Sequence, residues 1–219
     1  MICLSAINQK DGKILVGGYT TPPSSTKKDF AIARYNSNGT LDLTFSGDGK
    51  LTTDFSLGSD VLKDLAVQSD GKIVAGGYST LSNTDFAFAR YSSTGVLDNS
   101  FSGDGKLTLD LTCNSGDTLQ NMALQTDGKI LAGGFTRSTS GNYDFALVRL
   151  NTCGSLDSRF QGGGIDIADM GTSRDIASKM NLLSDGRILM TGQSGIIQND
   201  LVVARFTSSG APDKTLQGN

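Results

Sequence analysis

One unit written four times constrains this chain more than any other feature. Asp11-Gly12-Lys13-Ile14 returns as Asp70-Gly71-Lys72-Ile73, Asp127-Gly128-Lys129-Ile130 and Asp185-Gly186-Arg187-Ile188, at steps of 59, 57 and 58 residues. A second marker follows each copy. Asp29-Phe30-Ala31-Ile32-Ala33-Arg34 returns as Asp85 to Arg90, Asp144 to Arg149 and Asp200 to Arg205. A third, Leu41 to Lys50, returns as Leu97 to Lys106, degrades at Leu156 to Gly164 and runs off at Ala211 to Asn219. Three ordered markers recurring at a fixed period are the signature of a repeat architecture.

The second copy shows what one unit folds into. Leu51 to Phe55 alternates as a half-buried strand does. Asp64 to Gln68 is a short apolar run, and Ser69-Asp70-Gly71 is a hairpin turn, because Asp-Gly supplies the positive φ that tight turns need. Lys72 to Tyr78 and Phe86 to Tyr91 are further strands, joined by the polar loop Leu81 to Thr84. The last carries apolar residues on both faces, as in a sheet packed between other layers. The double glycines Gly17-Gly18, Gly76-Gly77 and Gly133-Gly134 suit a close approach of neighbouring backbones. Four-stranded antiparallel sheets at this period predict an all-β β-propeller of four blades; solenoid coils usually have shorter periods.

The expected organisation is one propeller over 1–219, with blades at about 1–50, 51–106, 107–164 and 165–219. The outer strand opens each unit in this reading, so repeat one lacks it and about fifteen strands are expected. The tail then pairs imperfectly with the first blade, or the chain is a fragment, or two chains assemble, since open strand edges template association and repeat arrays need caps.

Composition removes whole classes of function. The 22 acidic residues are all aspartate; glutamate, histidine and tryptophan are absent. Without glutamate a helical protein is improbable. Without histidine there is no Ser-His-Asp or Cys-His nucleophile system and no imidazole metal ligand. A net charge of −3 argues against a nucleic-acid footprint and against anionic membrane surfaces. No run of 18 apolar residues predicts a membrane span, and the first residues lack the basic region of a signal peptide. Cys3, Cys113 and Cys153 are an odd set without a Cys-x-x-Cys, so free thiols are expected, with a Cys113–Cys153 bridge as the alternative.

Several residues could carry chemistry. Arg34, Arg90, Arg149 and Arg205 share one repeat position, and Asp42, Asp98, Asp157 and Asp213 each follow eight residues later. A structural Arg–Asp clamp is favoured over a ring of cations for an anionic ligand. Asp42, Asp48 and Asp54, like Asp98, Asp104 and Asp110, are spaced by six; calcium is weighed there and turn chemistry preferred, the more so because Gly163 replaces the third copy's aspartate. Gly47-Asp48-Gly49-Lys50 and Gly162-Gly163-Gly164 lack a phosphate-loop pattern. Phe30, Phe86, Phe88 and Phe145 are expected in the core, and so, despite a rim alternative, are Tyr19, Tyr78 and Phe135. No catalytic, cofactor-binding or metal residue and no cofactor is assigned.

The pattern Gln-x-Asp-Gly-Lys-Ile…Gly-Gly…Asp-Phe-Ala-x-Ala-Arg-Tyr…Gly-x-Leu-Asp…Phe-x-Gly-Asp-Gly-Lys, from about Ala6 to Asp213, resembles the delta-60 repeat family. The resemblance implies β-propellers, a bacterial and often exported or surface-associated setting, and no catalytic or ligand residues to carry over. The functional expectation is a non-enzymatic binding or scaffold module. It would meet a protein partner through loops such as Thr21 to Lys28 and Ser138 to Tyr143, or self-associate through its terminal blades. A glycan-binding propeller with one weak site per blade is the alternative, and an enzyme ranks third; neither nucleic acid nor membrane insertion is expected.

Overall fold

A computed structural model describes residues 1–55, 58–113, 116–137, 141–171, 174–195 and 200–213. The chain divides into two compact units, Met1–Leu109 and Asp110–Asn219, each built of two sheets. All regular strand pairing is antiparallel, and a 3-10 turn at Gln161–Gly163 is the one helical element among the described residues. No helix is long and apolar enough to cross a membrane.

In the first unit, β1 (Ile2–Asn8), β2 (Ile14–Thr20), β3 (Asp29–Tyr35) and β4 (Lys50–Thr53) form one sheet in that order. The second sheet is β5 (Ser59–Val67), β6 (Ile73–Thr80), β7 (Thr84–Tyr91) and β8 (Lys106–Leu109). The second unit repeats the plan with β9 (Gly116–Leu124), β10 (Ile130–Arg137), β11 (Tyr143–Leu150) and β12 (Ile165–Ala168). Its last sheet holds β13 (Asp175–Leu182), β14 (Ile188–Ser194) and β15 (Asp200–Phe206) among the described residues. Fifteen strands among the described residues, in four repeated sheets, give the all-β propeller-blade class that the repeats predict.

The blade boundaries need correction. The strands at Lys50–Thr53, Lys106–Leu109 and Ile165–Ala168 close a sheet; they do not open the next one. Phe30 pairs with Thr53 and Ala33 with Lys50. The Arg34 N–H donates to the Gly49 carbonyl at 3.0 Å, holding the returning chain against β3. Alternation marks such a segment as a strand but carries no information about which neighbour it joins. Grouped as observed, the first sheet has four strands, and the one with three among the described residues is the last. The inner strand β5 is also longer than expected, because a bulge between Leu62 and Asp64 lets it run on from Ser59 to Val67.

The same bulge explains the double glycines. A register shift lies opposite the pair in the first three sheets, between Cys3 and Ser5, Leu62 and Asp64, and Asn121 and Leu119, and opposite Thr191-Gly192 in the last, between Ala177 and Lys179. A Cβ on Gly18, Gly77 or Gly192 would overlap the carbonyl of Ile2, Val61 or Ile176. The preceding glycine has another neighbour. A Cβ on Gly17 would sit 2.7 Å from Leu65 Cδ1, and one on Gly133 would sit 2.9 Å from Met180 Cβ. One glycine admits the bulged backbone; the other admits side chains of the next sheet. The Asp-Gly turns are type I turns completed by a left-handed glycine: Gly71 has φ 84° and its N–H donates to Gln68 O at 2.9 Å.

Each unit has its own core where two sheets meet. In the first it gathers Leu15, Phe30, Ile32, Leu62, Leu65 and Ile73; in the second, Leu131, Phe145, Leu147, Met180, Met190 and Phe206. Phe30, Phe86, Phe88 and Phe145 are fully buried as expected, whereas Tyr19, Tyr78 and Phe135 are half-exposed.

Candidate functional sites: clamps and aspartate triads at the sheet joints

Within each unit the joint between its two sheets is held differently at its two ends. At one end stands the Arg–Asp pair. Arg34 Nε meets Asp42 Oδ2 at 2.8 Å, Arg90 meets Asp98 at 2.9 Å, Arg149 meets Asp157 at 2.8 Å and Arg205 meets Asp213 at 2.8 Å. The clamp read from the sequence is therefore present in every repeat. The guanidiniums also lie over aromatic rings: Arg34 over Phe45, Arg90 over Phe101 and Arg149 over Phe160, at 4.6, 4.9 and 4.4 Å from the centroid. Arg34 Nη1 donates to Ser93 O, and Arg149 Nη1 to Ser208 O at 2.7 Å, tying each clamp to the next repeat.

A second cation reaches each carboxylate, and sequence reasoning missed it. Lys13, Lys72 and Lys129 lie 3.1, 3.1 and 3.4 Å from Asp42, Asp98 and Asp157, and Arg187 lies 3.5 Å from Asp213. The signal was present: the Asp-Gly turn is always followed by a cation. Asp42 Oδ1 also accepts from the Thr44 hydroxyl and N–H at 2.6 and 3.1 Å, and Asp98 Oδ1 likewise from Ser100 at 2.7 and 3.1 Å. The Thr44 hydroxyl, with Lys13, the Thr44 N–H and Arg34, holds the Asp42 carboxyl well below the usual range despite burial. At Asp98 burial pushes upward but is outweighed by Ser100, Lys72 and Arg90. At Asp157 burial is outweighed by the Arg159 N–H, Arg149 and Lys129. Three of these arginines are buried, so the row serves structure and offers no open cationic surface.

At the opposite end of β3 and β11 lie two aspartate triads. Asp29 opens β3, Asp54 follows β4 and Asp60 belongs to β5; one oxygen of each carboxylate lies within 4.8 Å of the others. Asp144, Asp169 and Asp175 take the same places in the second unit. Each triad joins two sheets, with its third member fully buried. The grouping of Asp42, Asp48 and Asp54 by their spacing does not occur. Asp42 enters the clamp, Asp48 accepts from the Lys50 N–H at 2.9 Å within its own turn, and Asp54 crosses to the triad. Likewise Asp98 is clamped, Asp104 accepts from the Lys106 N–H at 2.9 Å, and Asp110 accepts from the Thr112 N–H at 3.3 Å. Sequence reasoning missed the triads although Asp29 and Asp54, like Asp144 and Asp169, stand 25 residues apart, because only the folded sheets bring the third member from the next repeat to them.

Electrostatics differ here. Burial pushes the Asp29 carboxyl up, with Asp54 adding to it. Burial also raises Asp60, with Asp54 and Asp29 adding, against the lowering pull of Ser79 and the Phe55 N–H. Burial, Asp169 and Asp175 raise Asp144.

Other candidates are simpler. Cys3, Cys113 and Cys153 are exposed thiols outside any disulfide. Lys28 Nζ lies 4.5 Å from the Tyr19 ring centroid and Lys63 Nζ 5.8 Å from that of Tyr78. The loop Thr21 to Lys28 is mostly exposed; of the loop Ser138 to Tyr143, residues 138–140 lie outside the described residues. In the second unit an open groove beside β15 is lined by Asp166, Ile167, Met170, Val203, Phe206 and Pro212, among others.

Repeated bulged antiparallel sheets with a clamp in every copy define a β-propeller repeat protein. The chain belongs to the family described as "Domain of unknown function (DUF5122) beta-propeller", whose model matches residues 9–45, 68–101, 125–160 and 183–216. No curated protein matches it. Among solved structures it is similar to a GH43 endo-arabinanase from Bacillus licheniformis, at 16% identity and TM-score 0.51 over 94% of this chain and 74% of that one. It is also similar to a hypothetical protein from Leishmania major, at 16% identity and TM-score 0.47 over 94% and 69%. At these identities the arabinanase likeness speaks to fold alone.

Proposed function

We propose that this chain is a non-enzymatic scaffold module of the delta-60 repeat kind that associates with further copies of itself through its terminal sheets. The observation that carries the reading is Leu201. It occupies the repeat position of Phe30, Phe86 and Phe145, which are at most 1% exposed, yet it is 80% exposed. Val203, at the position of Ile32, Phe88 and Leu147, is likewise exposed. At the other terminus Met1 is exposed, as are Ile2 and Leu4 on β1, and Cys3 is exposed where Leu62 and Leu119 are buried by the same register.

A second copy is the fitting occupant. In the first sheet of each unit these positions, Phe30 and Ile32 or Phe145 and Leu147, are covered by the second sheet of the same repeat plan, so the surface complementary to β15 is one the chain itself carries. Such a head-to-tail contact is heterologous and builds closed or open assemblies. Lysines over Tyr19 and Tyr78 leave those rings poorly suited as sugar platforms, which favours this reading over a glycan-binding one. An exported or surface-associated setting is part of the proposal, supported by the resemblance of the repeats.

Light scattering tests it. The chain should show concentration-dependent mass above the monomer, and Leu201→Asp with Val203→Asp should lower it. A monodisperse monomer at high concentration overturns the proposal.

A further inference from the structure

The geometry assigns a divalent-cation site, for Ca²⁺ by its chemistry, to the triad Asp29, Asp54 and Asp60 in the first unit. Clustering alone does not carry this. The independent observation is Asp60 itself: the residue is 0% exposed, and its Oδ1 is buried without a hydrogen-bond partner. Its Oδ2 accepts from the Phe55 N–H at 2.9 Å. The Ser79 hydroxyl, opposite in register, acts on the carboxyl but does not hydrogen-bond Oδ1. The homologous Asp175 Oδ1 does receive such a bond, from the Ser194 hydroxyl. A buried carboxylate oxygen without a donor, beside two more carboxylates, is a costly arrangement that a cation removes.

The dimensions suit Ca²⁺. It binds oxygens at about 2.3–2.6 Å, so oxygens in its shell lie at most about 5 Å apart, and it accepts six to eight ligands in flexible geometry. The three carboxylate oxygens lie within 4.8 Å of one another. Asp54 is exposed, giving the ion an entry path and room for water ligands. Lys106 spends its ammonium on the Asp54 backbone carbonyl at 3.2 Å. Because Asp29 and Asp54 flank the first sheet and Asp60 lies in the second, the bound ion would pin the joint at the end opposite the Arg34 clamp.

Calorimetric titration of the chelator-stripped chain with CaCl₂ tests the assignment. Saturable uptake is expected, with one site fewer in Asp60→Asn. No saturable uptake at millimolar CaCl₂, or the same number of sites in Asp60→Asn, overturns it. Should circular dichroism show Asp60→Asn unfolded, the exposed Asp54→Asn decides: binding at one site roughly tenfold weaker supports the site, and unchanged binding overturns it.

Discussion

Tyr91 in β7 and Thr53 in β4 share a hydrogen bond of 2.7 Å across the joint between the first two sheets, with both side chains buried. A hydroxyl pair in an apolar joint is costly to split, because the survivor keeps its desolvation and loses its partner. Tyr91→Phe should cost about 1–3 kcal/mol in urea unfolding. Adding Thr53→Val should return part of that, since neither polar group then remains. Burial also pushes the Tyr91 hydroxyl pKa well above its ordinary value. Alkaline absorbance titration should therefore leave one tyrosine un-ionised until the chain opens.

The clamps should behave as buried pairs and their lysines as partly screened ones. Asp42→Asn leaves Arg34 buried against Phe45 without its carboxylate, and a loss of about 3–5 kcal/mol is expected. Lys13 is about a third exposed, so Lys13→Ala should cost about 1 kcal/mol or less and respond more to salt. Chemical denaturation at low and high ionic strength separates the two.

How far the sequence foretold this is a matter of range. The Arg–Asp clamp was legible because both partners lie in one repeat at a fixed separation of eight residues. The turns were legible because left-handed geometry at Gly12, Gly71, Gly128 and Gly186 needs glycine. Sheet membership of Lys50–Thr53 was not, since pairing with β3 depends on how the chain returns through Asp42 and Gly49. The triads were hidden for the same reason: Asp29 and Asp60 meet only once one sheet is laid on another. Tyr19 and Tyr78 were expected in the core, but their rings reach its edge, where lysine ammoniums cover them.

The two groups of aspartates should give stability an optimum on the acid side of neutrality. Asp42, Asp98 and Asp157 are depressed in the folded chain, so their contribution is full above the ordinary carboxylate pKa of about 4. It is lost as pH falls through their folded values. Asp29, Asp60 and Asp144 are raised, so the folded chain holds more protons than the unfolded one just above that same pKa, and stability falls as pH rises through their folded values. Melting temperature against pH, in chelator, should climb from acid to a maximum and then decline. Asp60→Asn should flatten the declining limb and leave the acid limb in place.

The glycine pair yields a sharper contrast, because its two members have different neighbours. Gly77 faces the Val61 carbonyl across the bulge, a backbone atom that cannot swing aside, so Gly77→Ala should cost about 3 kcal/mol or more and disturb β5. Gly17 faces the ends of Leu62 and Leu65, which can shift rotamer, and Gly17→Ala should cost about 1–3 kcal/mol. In the last sheet the position of Gly17 and Gly133 is held by Thr191, half-exposed, while the bulge glycine survives as Gly192. The bulge still needs its glycine, whereas the half-exposed Thr191 keeps a side chain at the position where Leu65 leaves Gly17 no room for one. Thr191→Gly should therefore change monomer stability by less than about 1 kcal/mol. If copies stack on this face, Thr191→Gly should also alter the assembled mass measured by light scattering, whereas a change in melting temperature alone would place the effect inside the sheet.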